Sequence, residues 1–478
     1  MNKIAFLLIL VSTCLSAQNY RPSYHYTPPK NWANDPNGLV YLDGEYHLFY
    51  QYNPEDTKWG HMSWGHAVST DLKNWNTLPL ALPEYKNIDG TTTMIFSGCV
   101  VIDSKNTSGL FKKGFNKGMV AVYTSQIEGK AQHQSLAYSM DKGRTWKYYD
   151  KNPVLDIGLR DFRDPNVIWY DERQIWIMMV SKPLEYTVQF YESQDLKSWK
   201  LVGGFGKQGD TTRIWECPSL MKVPIENSVN SKWVLMVSSG HRQKDYLATQ
   251  YFVGDFDGKN FVSQKQDEIL YVNEGKDFYA AIPFNNLPKN QSKPVIMGWL
   301  NDWEYASALP TKIYRGGFSV PIKLSLFDDG GIYKLRQEPI VRNEVETETI
   351  VLKANQKIIS KLAKSNQNSY RLKLIFNVLG SKGFDLYLLK NNSQSTVVSY
   401  DMSLAMLSFD RTKSGNVDFH KRFPSIEKIS VKPENGVLKL DILVDKSVVE
   451  IYANDGKAVM TDLVFPLKNS SGIEITWK

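Results

Sequence analysis

Apolar positions along the chain follow no helical period. They fall into short β-type runs separated by Gly, Asn, Asp and Pro, which predicts strands and almost no helix. Five runs are strongly apolar: HLFYQY (47–52), MVAVYT (119–124), IWIMMV (175–180), WVLMVS (233–238) and VIMGWL (295–300). They recur at roughly 55–70 residues, the spacing of a repeated four-stranded unit. Turn sequences form a second series: TDLKNW (70–75), MDKGRTW (140–146), QDLKSW (194–199) and FDGKNF (256–261). Repeated strands without intervening helices fit a β-propeller. Five runs imply five blades, expected over residues 18–335.

The texture then changes. LRQEPIVRNEVETE (335–348) is charged and reads as a linker, placed at 336–349. Beyond it Tyr370, Leu372, Leu374, Phe376 and Val378 alternate with mostly polar neighbours, as do Leu438, Leu440, Ile442 and Val444. Asn454-Asp455-Gly456 is a tight-turn signal. Residues 350–478 therefore read as a β-sandwich, and the whole chain as all-β.

The N-terminus, MNKIAFLLILVSTCLSAQNY, has a positive Lys3, an apolar run at 4–11 too short to span a membrane, and small residues at Leu15-Ser16-Ala17. That pattern predicts a secretory signal over 1–17 and an exported protein, periplasmic or extracellular. Lipid anchoring at Cys14 is the alternative; the Thr13 before it favours simple export. After cleavage only Cys99 and Cys217 remain, and both read as buried thiols.

With 57 basic and 50 acidic residues spread evenly, no basic stretch suggests a nucleic-acid partner. No later stretch is apolar enough to span a membrane. The His and Cys residues show neither HExxH nor paired spacing, so no metal site is indicated, and no motif implies an organic cofactor. Aromatic residues reach 13%, which suits flat sugar ligands as well as it suits a β-rich core.

In a propeller blade the innermost strand precedes the apolar run. The candidates are DPNGLVYL (35–42), FSGCVVID (96–103), DPNVIWY (164–170), ECPSLMKV (216–223) and FYAAIPF (278–284). Three begin with an acid: Asp35, Asp164 and Glu216. Equivalent starts lie at one end of the central channel, so three carboxylates are expected to converge there. Asp-Pro-Asn is also a turn sequence, and either copy alone reads as a turn. The shared placement with Glu216 favours chemistry. Converging carboxylates repel, and glycoside cleavage is a reaction that needs them: one protonates the leaving oxygen and another attacks the anomeric carbon or activates water.

WANDPNGL (32–39), FYQYNP (49–54), WGHMSWGHA (59–67), FSG (96–98), RDP (163–165) and ECP (216–218) resemble glycoside hydrolase family 32, which contains invertases, levanases and inulinases. VVEIYANDGKAVMTDLVFP (448–466) resembles a stretch of that family's C-terminal sandwich. The resemblance implies a five-bladed propeller followed by a sandwich, and a retaining mechanism. It makes Asp35 the nucleophile, Glu216 the acid/base and Asp164 the transition-state stabiliser. Asn34, Gln51, Trp59, Phe96, Ser97 and Arg163 match positions lining the fructose pocket, with Trp299 as a further wall. An Arg beside Asp164 is expected to hold that carboxylate ionised. Ala33 and Ser219 depart from the family's usual residues, which bears on the sites beyond the fructose pocket.

The expectation is an exo-acting β-fructosidase releasing terminal fructose from levan, inulin or sucrose, without cofactor. Its alternatives are a sucrose-restricted invertase, an endo-acting fructanase, an inverting arabinan hydrolase and a non-catalytic sugar-binding propeller. Intact NDPNG and the C-terminal sandwich argue against the arabinan hydrolase. Retention of all three acids argues against a binding protein.

Overall fold

The computed structural model describes residues 20–265, 267–357, 360, 362 and 368–478. The expected leader and Cys14 lie outside the described residues. Pro183–Glu185 and Ala306–Ala308 are short 3-10 helices. None of these is long and apolar enough to cross a membrane.

Five sheets follow one another along the first part of the chain, each mainly an antiparallel run in sequence order. Their innermost long strands are Asn31–Leu42, Thr92–Ile102, Arg163–Tyr170, Glu216–Pro224 and Tyr279–Pro283. Each packs against the next, and the fifth packs against the first, so the five strands close a ring. The two-residue strand Tyr314–Arg315 runs parallel to Asn31–Leu42 and ties the end of this part to its beginning.

The apolar runs are the second strands: Glu45–Asn53, Met119–Ile127, Ile175–Lys182, Ser231–Gly240 and Val295–Trp299. A second strand lies within its sheet with neighbouring sheets over both faces. That is why Ile175–Lys182 buries every residue but its last, with no alternation. The turn series joins third to fourth strands in the first four sheets. In it Asp71, Asp195 and Asp257 each accept the backbone N–H groups two and three residues on, and Asp141 accepts that of Thr145. Such carboxylate-capped turns are fixed locally, which is why the motif repeats.

The boundary at 335 needs correction. The last strand of the fifth sheet, Ile332–Pro339, runs past it, and the next strand, Thr347–Lys353, begins before 349. Arg336 and Glu338, the first charged residues read as linker, belong to an outer strand whose Leu335 and Gln337 are buried. The connector is 340–346.

The second part is two five-stranded sheets. Thr347–Lys353, Ser369–Asn377, Val437–Asp445, Val448–Ala453 and Ala458–Leu463 form one. Ile426–Ser430, Met406–Asp410, Thr396–Asp401, Gly383–Lys390 and Gly472–Trp477 form the other. Their inner faces share one core, to which the predicted Tyr370–Val378 and Leu438–Val444 alternations contribute throughout. Asn454 and Asp455 both adopt positive φ, +46° and +57°, at the predicted turn.

Candidate active site

Every innermost strand is bulged at the same place, with two residues facing one on its partner. Asn34 and Asp35 oppose Gln51, and Phe96 and Ser97 oppose Thr124. Asp164 and Pro165 oppose Val180, Cys217 and Pro218 oppose Val237, and Ala280 and Ala281 oppose Gly298. Asp164, Cys217 and Ala280 have φ of +63°, +48° and +52°. A bulge bends the strand and re-aims its side chains. Five in register turn one level of the ring inward, and the acids sit at or beside three of them. The Asp-Pro-Asn sequences are bulges inside strands, not turns. Gly38 closes the first motif with φ +52°, where a Cβ would lie 2.7 Å from Val100 and 2.8 Å from Phe49.

Two of the carboxylates share Cys217 as a partner, and Glu216 is the residue before it. Asp35 Oδ2 accepts Ser97 Oγ at 2.7 Å, and its Oδ1 is buried. Asp164 Oδ2 accepts the Cys217 N–H at 3.0 Å. The Cys217 thiol lies 3.8 Å from Asp35 Oδ2 and 3.7 Å from Asp164 Oδ2, touching both. Glu216 Oε1 accepts Arg163 Nε at 3.0 Å and Oε2 accepts the Tyr279 hydroxyl at 2.9 Å.

Burial, then the Glu216 charge, raise the Asp35 carboxyl against the Ser97 hydrogen bond. Asp164 is pushed well above the usual carboxylate range, first by burial and then by Glu216. Arg163 does pull it down, but less. The expectation that Arg163 holds Asp164 ionised is therefore corrected: the guanidinium faces Glu216 and Asp161 instead, the latter at 2.8 Å. Burial also raises the Cys217 thiol, reinforced by the surrounding carboxylates, so it stays protonated. Cys99 and Cys217 are both free and buried.

Trp59 is 45% exposed and meets half-buried Phe96 edge-to-face at 6.0 Å. His61, between Glu84 (2.7 Å) and Glu55 (3.6 Å), braces the loop that carries Trp59. Asn34, Gln51 and Ser97 are buried and hold the site in shape. Asn34 Oδ1 accepts Trp32 Nε1 at 2.8 Å, Gln51 donates to the Ile95 carbonyl at 3.0 Å, and Ser97 serves Asp35.

Trp299 as a pocket wall is corrected. It is fully buried, donates Nε1 to the Ala33 carbonyl at 3.0 Å and so fixes the backbone two residues before Asp35. The outward-facing ring is Trp303, 36% exposed, 5.7 Å from Trp32 and 4.8 Å from Trp299. Ala33 and Ser219 are also fully buried and line no outer site by contact. Sequence reasoning missed Trp303, Tyr279 and Cys217. The last two lie inside the quoted stretches FYAAIPF and ECP, but only the bulges show where they point.

Residues 25–339 match the Glycosyl hydrolases family 32 N-terminal domain, and 331–478 match the Glycosyl hydrolases family 32 C terminal. The chain is 42% identical to a levanase of Bacillus subtilis (strain 168), over 96% of this chain and 68% of the relative. It is 36% identical to an extracellular exo-inulinase of Aspergillus awamori, over 94% of this chain and 90% of that protein. The crystal structure of exo-inulinase from Aspergillus awamori superposes with a TM-score of 0.88, 34% identity and 96% coverage of both chains.

Proposed function

The chain belongs to glycosyl hydrolases family 32, and we infer from its site that it releases terminal fructose from fructans and sucrose. The five sheets in a closed ring read as the blades of a propeller, with the inner-strand bulges at the mouth of its channel. The observation that carries the mechanism is the gathering of three carboxylates from three different bulged strands: Cys217 joins Asp35 to Asp164, and Glu216, the residue before it, is held by Arg163 and Tyr279.

Glu216 gives its proton to the glycosidic oxygen as Asp35 attacks the anomeric carbon, forming a fructosyl ester and freeing the leaving group. Glu216 then takes a proton from water. The water oxygen attacks the same carbon, the ester bond breaks and Asp35 leaves as carboxylate. Two displacements retain the configuration. Asp164 faces the positive charge that develops on the sugar ring, and that charge favours its ionised form. Phe96 and the exposed Trp59 supply an apolar wall for the fructose ring. Export to the periplasm or beyond, as the leader suggests, suits a polymeric substrate too large to enter a cell.

Levan, inulin and sucrose digests, chromatographed at early times, test this reading. Free fructose is expected first from all three. Early oligosaccharides would make the enzyme endo-acting, hydrolysis of sucrose alone would make it an invertase, and binding without hydrolysis would make it a lectin.

A further inference from the structure

The Tyr279 hydroxyl meets Glu216 Oε2, and Tyr279 opens the innermost strand of the fifth sheet. It is 1% exposed, and burial with the Glu216 charge holds its phenol far above the usual value, so it remains an O–H. The segment just before it, 273–277, takes its backbone partners from the sandwich strand Ala458–Leu463. Glu274 N donates to Val459 O at 2.8 Å, Lys276 N to Asp462 Oδ1 at 3.1 Å and Asp277 N to Thr461 O at 3.1 Å. Leu463 N returns a bond to Asp277 Oδ2 at 2.8 Å. The fully buried Arg411 of the sandwich donates to Asp277 and, at 2.9 Å, to the Tyr305 hydroxyl, which itself donates to Asp277 Oδ1 at 2.6 Å. The sandwich thus grips the chain two residues before the tyrosine.

We propose that Tyr279 is a positioning residue that selects Oε2 as the proton-carrying oxygen of Glu216, and that the sandwich holds it there through Asp277. The proposal rests on Glu216 being the acid/base. Arg163 only donates, and its charge beside Oε1 disfavours a proton on that oxygen. A tyrosine hydroxyl both donates and accepts. It donates to Oε2 while Glu216 is ionised, and by rotating its O–H it accepts from Oε2 when Glu216 is the acid. One oxygen is therefore clamped by a cation, and the other cycles a proton beside a hydroxyl that tolerates both states. The sandwich, which supplies none of the three acids, enters catalysis by fixing the tyrosine.

The test compares Tyr279→Phe, Asp277→Asn and Glu216→Ala on sucrose and on an activated aryl fructoside, with pH profiles of kcat/KM and thermal melts. Tyr279→Phe loses the donor that favours ionised Glu216, so the alkaline limb is expected to move to higher pH. Its kcat on sucrose falls on the order of tenfold, the size of one buried hydrogen bond, with KM little changed and a smaller loss on the activated fructoside. Asp277→Asn moves the limb the same way. An unmoved limb, or equal losses on both substrates in Tyr279→Phe, overturns the positioning role. A lowered melting temperature with an unmoved limb in Asp277→Asn overturns the sandwich's part. If Glu216→Ala loses sucrose and activated fructoside equally, the assignment of Glu216 itself falls, and the proposal with it.

Discussion

The amide N–H of Cys217 donates to Asp164 Oδ2 at 3.0 Å, so the residue next to one site acid holds another in place. That bond is one of the few forces favouring the ionised form of Asp164 against burial and the Glu216 charge. Asp164 is ionised more easily in the unfolded chain, where its value is near 3.8, than in the fold. Stability contributed at low pH is therefore lost as pH rises from about 4 through the raised folded value.

Asp164→Asn removes that penalty while keeping an oxygen for the Cys217 amide. It is expected to melt higher than the parent above pH 5, by an amount that grows toward neutrality, while losing nearly all activity. Paired melts from pH 4 to 8 check this. A variant less stable than the parent at pH 7 contradicts the assigned strain.

The two tryptophans near the site separate packing from binding. Trp299→Ala opens a cavity and frees the Ala33 carbonyl, costing about 3–5 kcal/mol of stability. Trp303→Ala removes an outward ring and is expected to raise KM for fructans several-fold with the melting temperature nearly unchanged. Equal effects of both substitutions on melting contradict the distinction.

His25 anchors the N-terminal segment to the sandwich. Its ring is buried, with Nδ1 3.0 Å from Asp445 and Nε2 3.5 Å from Glu450. Burial alone lowers its pKa, but the two carboxylates overcome that and raise it to about 9. The stabilisation is full below about 6.5 and lost as pH rises through 9. His25→Gln removes the buried cation that faces two buried acids and is expected to cost about 3–5 kcal/mol at pH 7. The loss should shrink by pH 10, and denaturant titrations at both values read it out.

Much of this was legible beforehand because a propeller repeats. The apolar runs marked second strands, and the spacing of Asp35, Asp164 and Glu216 put them at equivalent starts. Direction was not legible. A bulge leaves no mark in the hydrophobic pattern, so the partners of Arg163 could not be read. Trp299 and Trp303 look alike in GWLNDW, yet only the fold turns one inward and the other out. The segment 335–339 read as linker because an outer strand's solvent face is as charged as a loop.

The roles of the three acids are tested most directly by azide rescue on an activated fructoside. Glu216→Ala still forms the ester at Asp35, and azide needs no general base, so turnover should recover with fructosyl azide of retained β configuration as product. Asp35→Asn and Asp164→Asn should show neither recovery nor azide product. Rescue of Asp164→Asn with none for Glu216→Ala, or an inverted fructosyl azide from Glu216→Ala, would contradict the account.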